Sequence, residues 1–152
     1  MALNAERVGH RYPSYRYEVS REKVREYARA TGVTDPRALA DEGPLAVPPT
    51  FAACFTVGPV VDLTRDPELG GHAGVLHASQ EYDFHRPLAV GDALQCTPEI
   101  AGLVRRGATD FLSVTVDCRD EATGEPVVTA RARLVFGDAP PPTAAAPAPD
   151  GV

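Results

Sequence analysis

Cysteine is scarce in this 152-residue chain, which contains three copies. Cys54, Cys96 and Cys118 lie far apart in the sequence, so neither a disulfide framework nor a zinc knuckle is predicted. We interpret them as small buried hydrophobic residues. The chain also lacks a run of roughly 18 apolar residues and the charged, then apolar, start of a secretory signal. A soluble, cytoplasmic protein is therefore expected.

Positive charge is scarce as well. The 15 Lys and Arg residues are outnumbered by 21 Asp and Glu, which gives a net charge of -6. The basic residues are scattered, apart from the pair Arg105-Arg106. Because nucleic acids and anionic membranes attract clustered positive charge, neither is expected as a partner.

The length of the chain fits a single domain. Its final segment is rich in alanine and proline and has little to bury, so it cannot offset the entropy lost on ordering. We therefore predict one folded domain at residues 1–138 and a disordered tail at residues 139–152.

Two segments are predicted to be helical. Ser20 is typical of an N-cap, and Val24 and Ala28 follow at helical spacing before Gly32 ends the segment. Residues 51–63 are apolar on almost every side, which favours a helix enclosed by the rest of the fold. Gly58-Pro59 lies in the middle of this second segment, so a kinked or two-part helix is expected there.

Apolar and polar residues alternate in much of the remaining chain. The alternation covers residues 76–84, 112–118 and 128–136, which predicts strands with one buried face. Such strands form an antiparallel sheet that packs on one side. Together with the apolar helix, they predict an α+β protein with a hot-dog fold, in which a curved antiparallel β-sheet wraps around a central apolar helix.

Four segments resemble the MaoC-like dehydratases. The resemblance is strongest to the shorter subunits related to the (3R)-hydroxyacyl-ACP dehydratase of bacterial type II fatty-acid synthesis. The segments are residues 17–28, 30–36, 47–51 and 76–92, in this order, and they span most of the folded region. The most specific is the last, in which an alternating strand ends in His-Arg-Pro-Leu and is followed by Gly-Asp.

Catalytic members of this family carry the motif Gly-Asp-x-Asn-Pro-x-His after the first helix. Its Asp and His form a general acid–base pair that acts on the hydroxyacyl thioester. Alignment on Gly32 and Pro36 places Val33 at the Asp position, Asp35 at the Asn position and Ala38 at the His position. Neither Val33 nor Ala38 carries an exchangeable side-chain proton, so the sequence departs from the family at both catalytic positions.

The resemblance therefore implies a non-catalytic, substrate-channel subunit. Its partner would be a catalytic hot-dog subunit with the intact Asp and His, and the substrate would be an acyl-ACP or acyl-CoA. No catalytic residue, metal or cofactor is expected in this chain. The residues expected to contact the acyl thioester are Pro49, Thr50, Phe51, Phe55 and Phe84, although a core position suits the phenylalanines equally well.

Two alternatives remain open from the sequence. One is a homodimeric hot-dog protein that binds acyl thioesters without catalysis. The other is a divergent thioesterase or dehydratase that uses Asp35, Asp41 or His77 in new roles, although an aspartate before proline more often forms a local turn. Alternation places His77 on the same strand face as His85, with acidic residues between them. Such a face is usually solvated, so no metal site is expected there.

Overall fold

The structure, a computed structural model, describes residues 2–70 and 74–137. The tail predicted at residues 139–152 lies outside the described residues. The helices are α1 (Arg21–Ala30) and α2 (Ala53–Leu63), and the strands are β1 (Tyr15–Glu18), β2 (Gly74–Phe84), β3 (Ala93–Arg106), β4 (Thr109–Asp120) and β5 (Pro126–Gly137). Short 3-10 helices occupy Ala5–Arg7, Pro36–Ala38 and Pro49–Ala52. Within the described ranges, neither α-helix has the length and apolar character needed to cross a bilayer.

Helix α1 confirms the first helical prediction. The Ser20 hydroxyl accepts a hydrogen bond from the Lys23 amide at 3.3 Å, which satisfies one of the free N–H groups at the start of the helix. Val24 and Ala28 are fully buried. Gly32 follows the helix with a φ of 72°, a left-handed conformation that glycine adopts without steric cost.

Helix α2 runs through Pro59 without interruption, so of the predicted kinked or two-part helix the two-part form is wrong. Proline has no N–H to bond the carbonyl four residues earlier, which belongs to Phe55. The Tyr15 hydroxyl donates to that carbonyl oxygen at 2.6 Å and replaces the missing bond. The change in helical geometry instead lies earlier, where the 3-10 helix Pro49–Ala52 passes into α2.

Within residues 2–70 and 74–137, only one side of α2 is buried. The buried side carries Phe55, Thr56, Val60 and Leu63. Cys54, Gly58 and Val61 lie exposed on the other side, and Val61 is 42% exposed. The rest of the described chain thus encloses α2 only in part. The interpretation of Cys54 as a buried residue is wrong, because Cys54 is exposed.

The five strands form one antiparallel sheet in the order β1-β3-β4-β5-β2. The loop between β4 and β5 is the turn in which the Asp120 carboxylate accepts hydrogen bonds from the Ala122 and Thr123 amides, each at 3.0 Å. Every second side chain of the central strand β4 is buried and joins those of α2 in a single core. The sheet curls around the helix, which confirms the predicted hot-dog fold.

A β-bulge in β2 overturns part of the predicted alternation. The register with β5 shifts between His77 and Ser79, so Ala78 is an extra residue and the chain before it faces the opposite way. Leu76 now lies opposite Val135 on the outer face, where it is 66% exposed rather than buried. His77 lies opposite the buried Leu134. The prediction that His77 shares a face with His85 is therefore wrong.

Candidate functional site

The loop between α1 and α2 contains the two positions at which the resemblance expects an acid–base pair. The Val33 amide donates a hydrogen bond to the Ala28 carbonyl at 2.9 Å. Ala38 closes the 3-10 helix Pro36–Ala38 and is 2% exposed. Both side chains end in methyl groups, so neither can hold or move a proton in this loop.

Asp35 begins the same 3-10 helix and is held by Arg37. Its carboxylate accepts a hydrogen bond from the Arg37 amide at 2.9 Å and pairs with the guanidinium at 2.7 Å. The hydrogen bonds from the Arg37 side chain and backbone lower the pKa of Asp35. A carboxylate stabilised as an anion is a weak base, and it does not supply a proton near neutral pH.

The other two candidates for a relocated catalytic group lie on different elements. Asp41 is exposed and forms an ion pair with Arg25 of α1, whereas His77 lies on β2. Across residues 2–70 and 74–137, no hydrogen bond or ion pair joins any two of Asp35, Asp41 and His77. The described part of the chain also contains no group of three or more His, Cys, Asp or Glu side chains that could hold a metal ion.

A pocket of about 380 Å³ opens where the segment leading into α2 meets the end of β2. Most of its walls are apolar, with a few polar groups at one side, a composition typical of small-molecule sites. The lining residues are Val47, Pro49, Phe84, His85, Arg86, Pro87 and Leu88. This pocket is the candidate binding site of the chain.

The residues expected to contact a substrate divide between this pocket and the core. Pro49 and Phe84 line the pocket, and Thr50 is exposed beside Pro49. Phe51 and Phe55 are 0% and 2% exposed and lie in the core. Two tyrosines extend this aromatic cluster: Tyr17 stacks on Phe55 with ring centroids 4.6 Å apart, and Tyr27 meets Phe51 edge-on at 5.6 Å.

Arg86 forms part of the pocket wall and is fixed by carboxylates. Its two terminal nitrogens donate to the Asp92 carboxylate at 2.8 and 3.0 Å, and one of them also reaches Asp120 at 3.3 Å. Asp92 in turn accepts the Ala89 amide at 2.8 Å. The hydrogen bonds that Arg86 donates to Asp92, and to a smaller extent the negative charges of Asp92 and Asp120, raise the pKa of Arg86. The positive charge of Arg86 is thus balanced by Asp92 and Asp120. These ion pairs fix the turn that carries Pro87 and Leu88.

His85 stands at the rim of the same pocket. Its amide donates to the Val127 carbonyl at 2.9 Å, which extends the pairing of β2 with β5 by one residue. Its Nε2 lies 3.1 Å from the Thr129 hydroxyl. Since one ring nitrogen is engaged in this way, Nδ1 is the atom through which His85 can hydrogen-bond a ligand.

The family model for the dehydratase domain region of FAS1-like proteins matches residues 6–130. The chain belongs to this FAS1-like dehydratase family. A UPF0336 protein of Streptomyces griseus subsp. griseus is 39% identical over 145 residues, which cover 89% of this chain and 95% of that protein. A UPF0336 protein of Thermobifida fusca is 32% identical over 152 residues, covering 92% and 98% of the two chains.

Solved structures of dehydratases share the fold of this FAS1-like dehydratase chain. A C-terminally truncated HadBC (3R-hydroxyacyl-ACP dehydratase) complex from Mycobacterium tuberculosis matches with a TM-score of 0.72 and 26% identity over 85% of this chain and 96% of that one. A MaoC-like dehydratase matches with a TM-score of 0.76 and 30% identity. That match covers 88% of this chain and 43% of the other.

Five pocket residues of this FAS1-like dehydratase family member were not predicted as binding residues. They are Val47, His85, Arg86, Pro87 and Leu88. A signal for four of them was present, because His-Arg-Pro-Leu is the most specific part of the family resemblance. Alternation could not identify them, since they follow the end of β2, where the chain turns and side chains no longer obey a period of two.

Proposed function

We propose that this chain is the non-catalytic, substrate-channel subunit of a heterodimeric (3R)-hydroxyacyl-ACP or -CoA dehydratase. Its catalytic partner is a second hot-dog subunit that carries the Asp and His of the family motif. The assembled enzyme eliminates water from a 3-hydroxyacyl thioester and forms a trans-2-enoyl thioester. We place it in fatty-acid or polyketide-type biosynthesis in the cytoplasm.

One observation carries the proposal. The positions of the acid–base pair are occupied by Val33 and the buried Ala38, within a chain that otherwise keeps the family's fold and segments. Loss of both members of a proton-transferring pair lowers the rate of such a reaction by orders of magnitude. The nearby Asp35 forms an ion pair with Arg37 and does not replace the missing acid–base pair.

The proposed reaction divides between the two subunits. On the partner, the basic member of the pair removes the proton from C2 of the substrate, and the acidic member donates a proton to the C3 hydroxyl as it leaves as water. This chain contributes the apolar walls of the pocket, including Pro49 and Phe84, which would hold the acyl chain or the pantetheine arm in place. Fixing the substrate near the partner's groups lowers the entropic cost of reaching the transition state.

Strand β2 supports the existence of a partner. It forms an edge of the sheet and, among residues 2–70 and 74–137, pairs only with β5, so the backbone groups on its other side are available to another strand. Val75 and Leu76 are 46% and 66% exposed on this strand. A long, apolar, exposed edge is a binding surface for another β-sheet, and a hot-dog partner would place its own sheet alongside it.

The same edge also suits a second copy of this chain, which is the homodimeric acyl-binding alternative. The heterodimer proposal and the homodimer alternative differ in how the isolated chain associates. A stable homodimer that binds acyl thioesters and does not exchange with a motif-bearing hot-dog subunit would favour the alternative. Sedimentation of the chain alone and in an equimolar mixture with that subunit distinguishes them.

The decisive experiment is an assay of water elimination. The chain, a motif-bearing hot-dog subunit from the same genome and the two together are each supplied with a 3-hydroxyacyl thioester, and enoyl product is measured. We expect background turnover from this chain alone and a rate at least about a thousandfold higher from the pair. Replacing the partner's Asp by Asn should abolish that rate while the pair still assembles.

Alanine substitution in this chain tests the remaining alternative. Asp35→Ala, Asp41→Ala and His77→Ala are each combined with the wild-type partner, and kcat is compared with that of the unmodified pair. We expect kcat to stay within about twofold of the unmodified value, since none of these side chains takes part in proton transfer. Strong dehydratase activity from the lone chain, abolished by one of these substitutions, would refute the subunit proposal.

A further inference from the structure

Cys96 and Cys118 lie directly opposite each other on β3 and β4, and both are 0% exposed. Residues opposite each other in an antiparallel pair have Cα atoms about 4.5–5.5 Å apart. That separation falls within the roughly 4.4–6.8 Å that a disulfide bridges. The two thiols interact: the Cys96 thiol, followed by burial, raises the pKa of Cys118. The sequence did not predict this pair, because the two cysteines lie far apart in the chain.

Tyr15 of β1 neighbours this thiol pair and borders a surface pocket. It is opposite Cys96 in the pairing of β1 with β3. Its ring also lines a surface pocket of about 320 Å³, separate from the candidate binding site. The walls of this second pocket are Tyr12, Pro13, Tyr15, Pro59, Asp62, Leu63 and Pro98.

Access to the thiols depends on the mobility of β1. The strand has four residues and lies at an edge of the sheet, and such elements open at a lower free energy than the core. Movement of Tyr15 would connect the surface pocket with Cys96. Opening of β1 alone, without unfolding of the whole chain, would therefore expose Cys96 to water and to a small oxidant.

We propose that Cys96 and Cys118 form a redox-active pair that closes to a cross-strand disulfide in the presence of a hydroperoxide. Cys96, exposed to water when β1 opens, ionises, and its thiolate attacks the O–O bond and becomes a sulfenic acid, releasing an alcohol or, from hydrogen peroxide, water. The other thiol then attacks the sulfenic sulfur, forms the S–S bond and releases water. Two thiols are oxidised by two electrons in total, and one hydroperoxide is reduced. This inference is independent of the proposed dehydratase role.

The test uses the full chain with Cys54→Ser, which removes the exposed thiol. The folded protein is treated with hydrogen peroxide, quenched with catalase, unfolded, alkylated and digested without reductant. We expect the peptides that contain Cys96 and Cys118 to be joined and to weigh about two mass units less than the reduced pair. The number of alkylated cysteines should fall from two to none, and dithiothreitol should restore both.

Three variants sharpen the result. Cys96→Ser and Cys118→Ser, each in the Cys54→Ser chain, must lose the joined peptide. Tyr15→Ala should raise the rate of cross-linking about tenfold, because it opens the path from the pocket. If that variant does not fold, urea below the unfolding transition should raise the rate in the parent chain.

Two outcomes overturn the proposal. One is oxidation of either cysteine to sulfinic acid without a joined peptide. The other is complete alkylation of both cysteines in the folded chain at a peroxide dose that cross-links the unfolded chain.

Discussion

The two edge strands of the sheet differ in length, charge and cover. Strand β1 has four residues, in which Arg16 and Glu18 point outwards and Tyr15 and Tyr17 point into the core. Strand β2 has eleven residues, and its first seven, at positions 74–80, carry no formal charge. Short, charged edges discourage pairing with other chains, whereas long, apolar edges invite it.

This difference fits the proposed assembly, in which β1 is the edge closed to other chains and β2 is the edge at which the partner binds. The tyrosines of β1 anchor the strand to α2 and the aromatic cluster. No comparable anchor for the start of β2 is seen in the part of the chain that the structure describes: Val75 and Leu76 are exposed although both are large and apolar. The contrast can be tested by changing one edge at a time.

The largest expected effect concerns the β2 edge. Leu76→Glu places a charge on the outer face of this strand, which we expect to weaken association with the partner about a hundredfold. The free energy of unfolding of the isolated chain should change by less than about 0.5 kcal/mol, because Leu76 is 66% exposed. Isothermal titration with the partner, together with urea unfolding of the chain alone, measures both quantities.

Val104→Glu is the matched control for that variant. Val104 is 55% exposed on the same outer face, in the row that runs through Phe111 and Val135 to Leu76. It lies three strands away from the edge, so association should remain within about twofold of the unmodified value. Equal weakening by both variants would show that the partner covers the outer face rather than the β2 edge.

The next effect concerns the anchor of β1. Tyr15→Phe removes the hydroxyl that donates to the Phe55 carbonyl, and Pro59 provides no replacement. A buried carbonyl without a partner costs about 1–3 kcal/mol, so urea unfolding should show a loss of that size. Tyr17→Phe is the control, since no hydrogen bond from its hydroxyl is seen among residues 2–70 and 74–137. A loss no larger for Tyr15→Phe than for Tyr17→Phe would contradict the anchoring role.

Much of the fold follows from local sequence signals. Ser20 and Gly32 mark the limits of α1, and alternation predicts β4 and the later part of β2. The bulge at Ala78 did not follow from alternation, because one inserted residue reverses the direction of its neighbours without changing the pattern of residue types. The continuity of α2 through Pro59 depends on Tyr15, 44 positions earlier, and no local rule describes a hydrogen bond between such distant positions.

The candidate site was less predictable than the fold. Alignment on the family motif predicts from the sequence alone that Val33 and Ala38 occupy the acid–base positions, and this stays a prediction. The sequence predicted only some of the pocket residues. Phe51 and Pro49 have similar apolar surroundings in the sequence, yet Phe51 lies in the core and Pro49 lines the pocket. Which apolar residues remain accessible is decided by packing between distant segments, and composition does not record it.

A smaller effect concerns the segment that leads into β1. The Tyr12 hydroxyl donates to the Asp66 carboxylate at 2.6 Å, and this bond, more than any other, lowers the pKa of Asp66 from 3.8. Because the folded state lowers this pKa, the stabilisation is complete above the unfolded value and is lost as the pH falls through the folded value. Asp66→Asn should therefore destabilise the chain at neutral pH and much less at about pH 2.

Urea unfolding of both proteins between about pH 2 and pH 7 measures this dependence. Tyr12→Phe removes the leading cause of the lowered pKa, so its pH dependence should be flatter than that of the unmodified chain. A constant difference between Asp66→Asn and the unmodified chain at every pH would mean that Asp66 contributes by packing rather than by charge.

The smallest expected effect concerns the outward-facing charges of β1. Arg16 pairs with Glu121 at 2.8 Å on the outer face, where both side chains are about half exposed. Exposed ion pairs contribute little, because water and salt screen the attraction and two long side chains lose freedom. Glu121→Gln should leave the urea midpoint unchanged within error at both low and high salt. A clear loss that disappears in high salt would show that outward charges, and not the inward tyrosines alone, hold the closed edge in place.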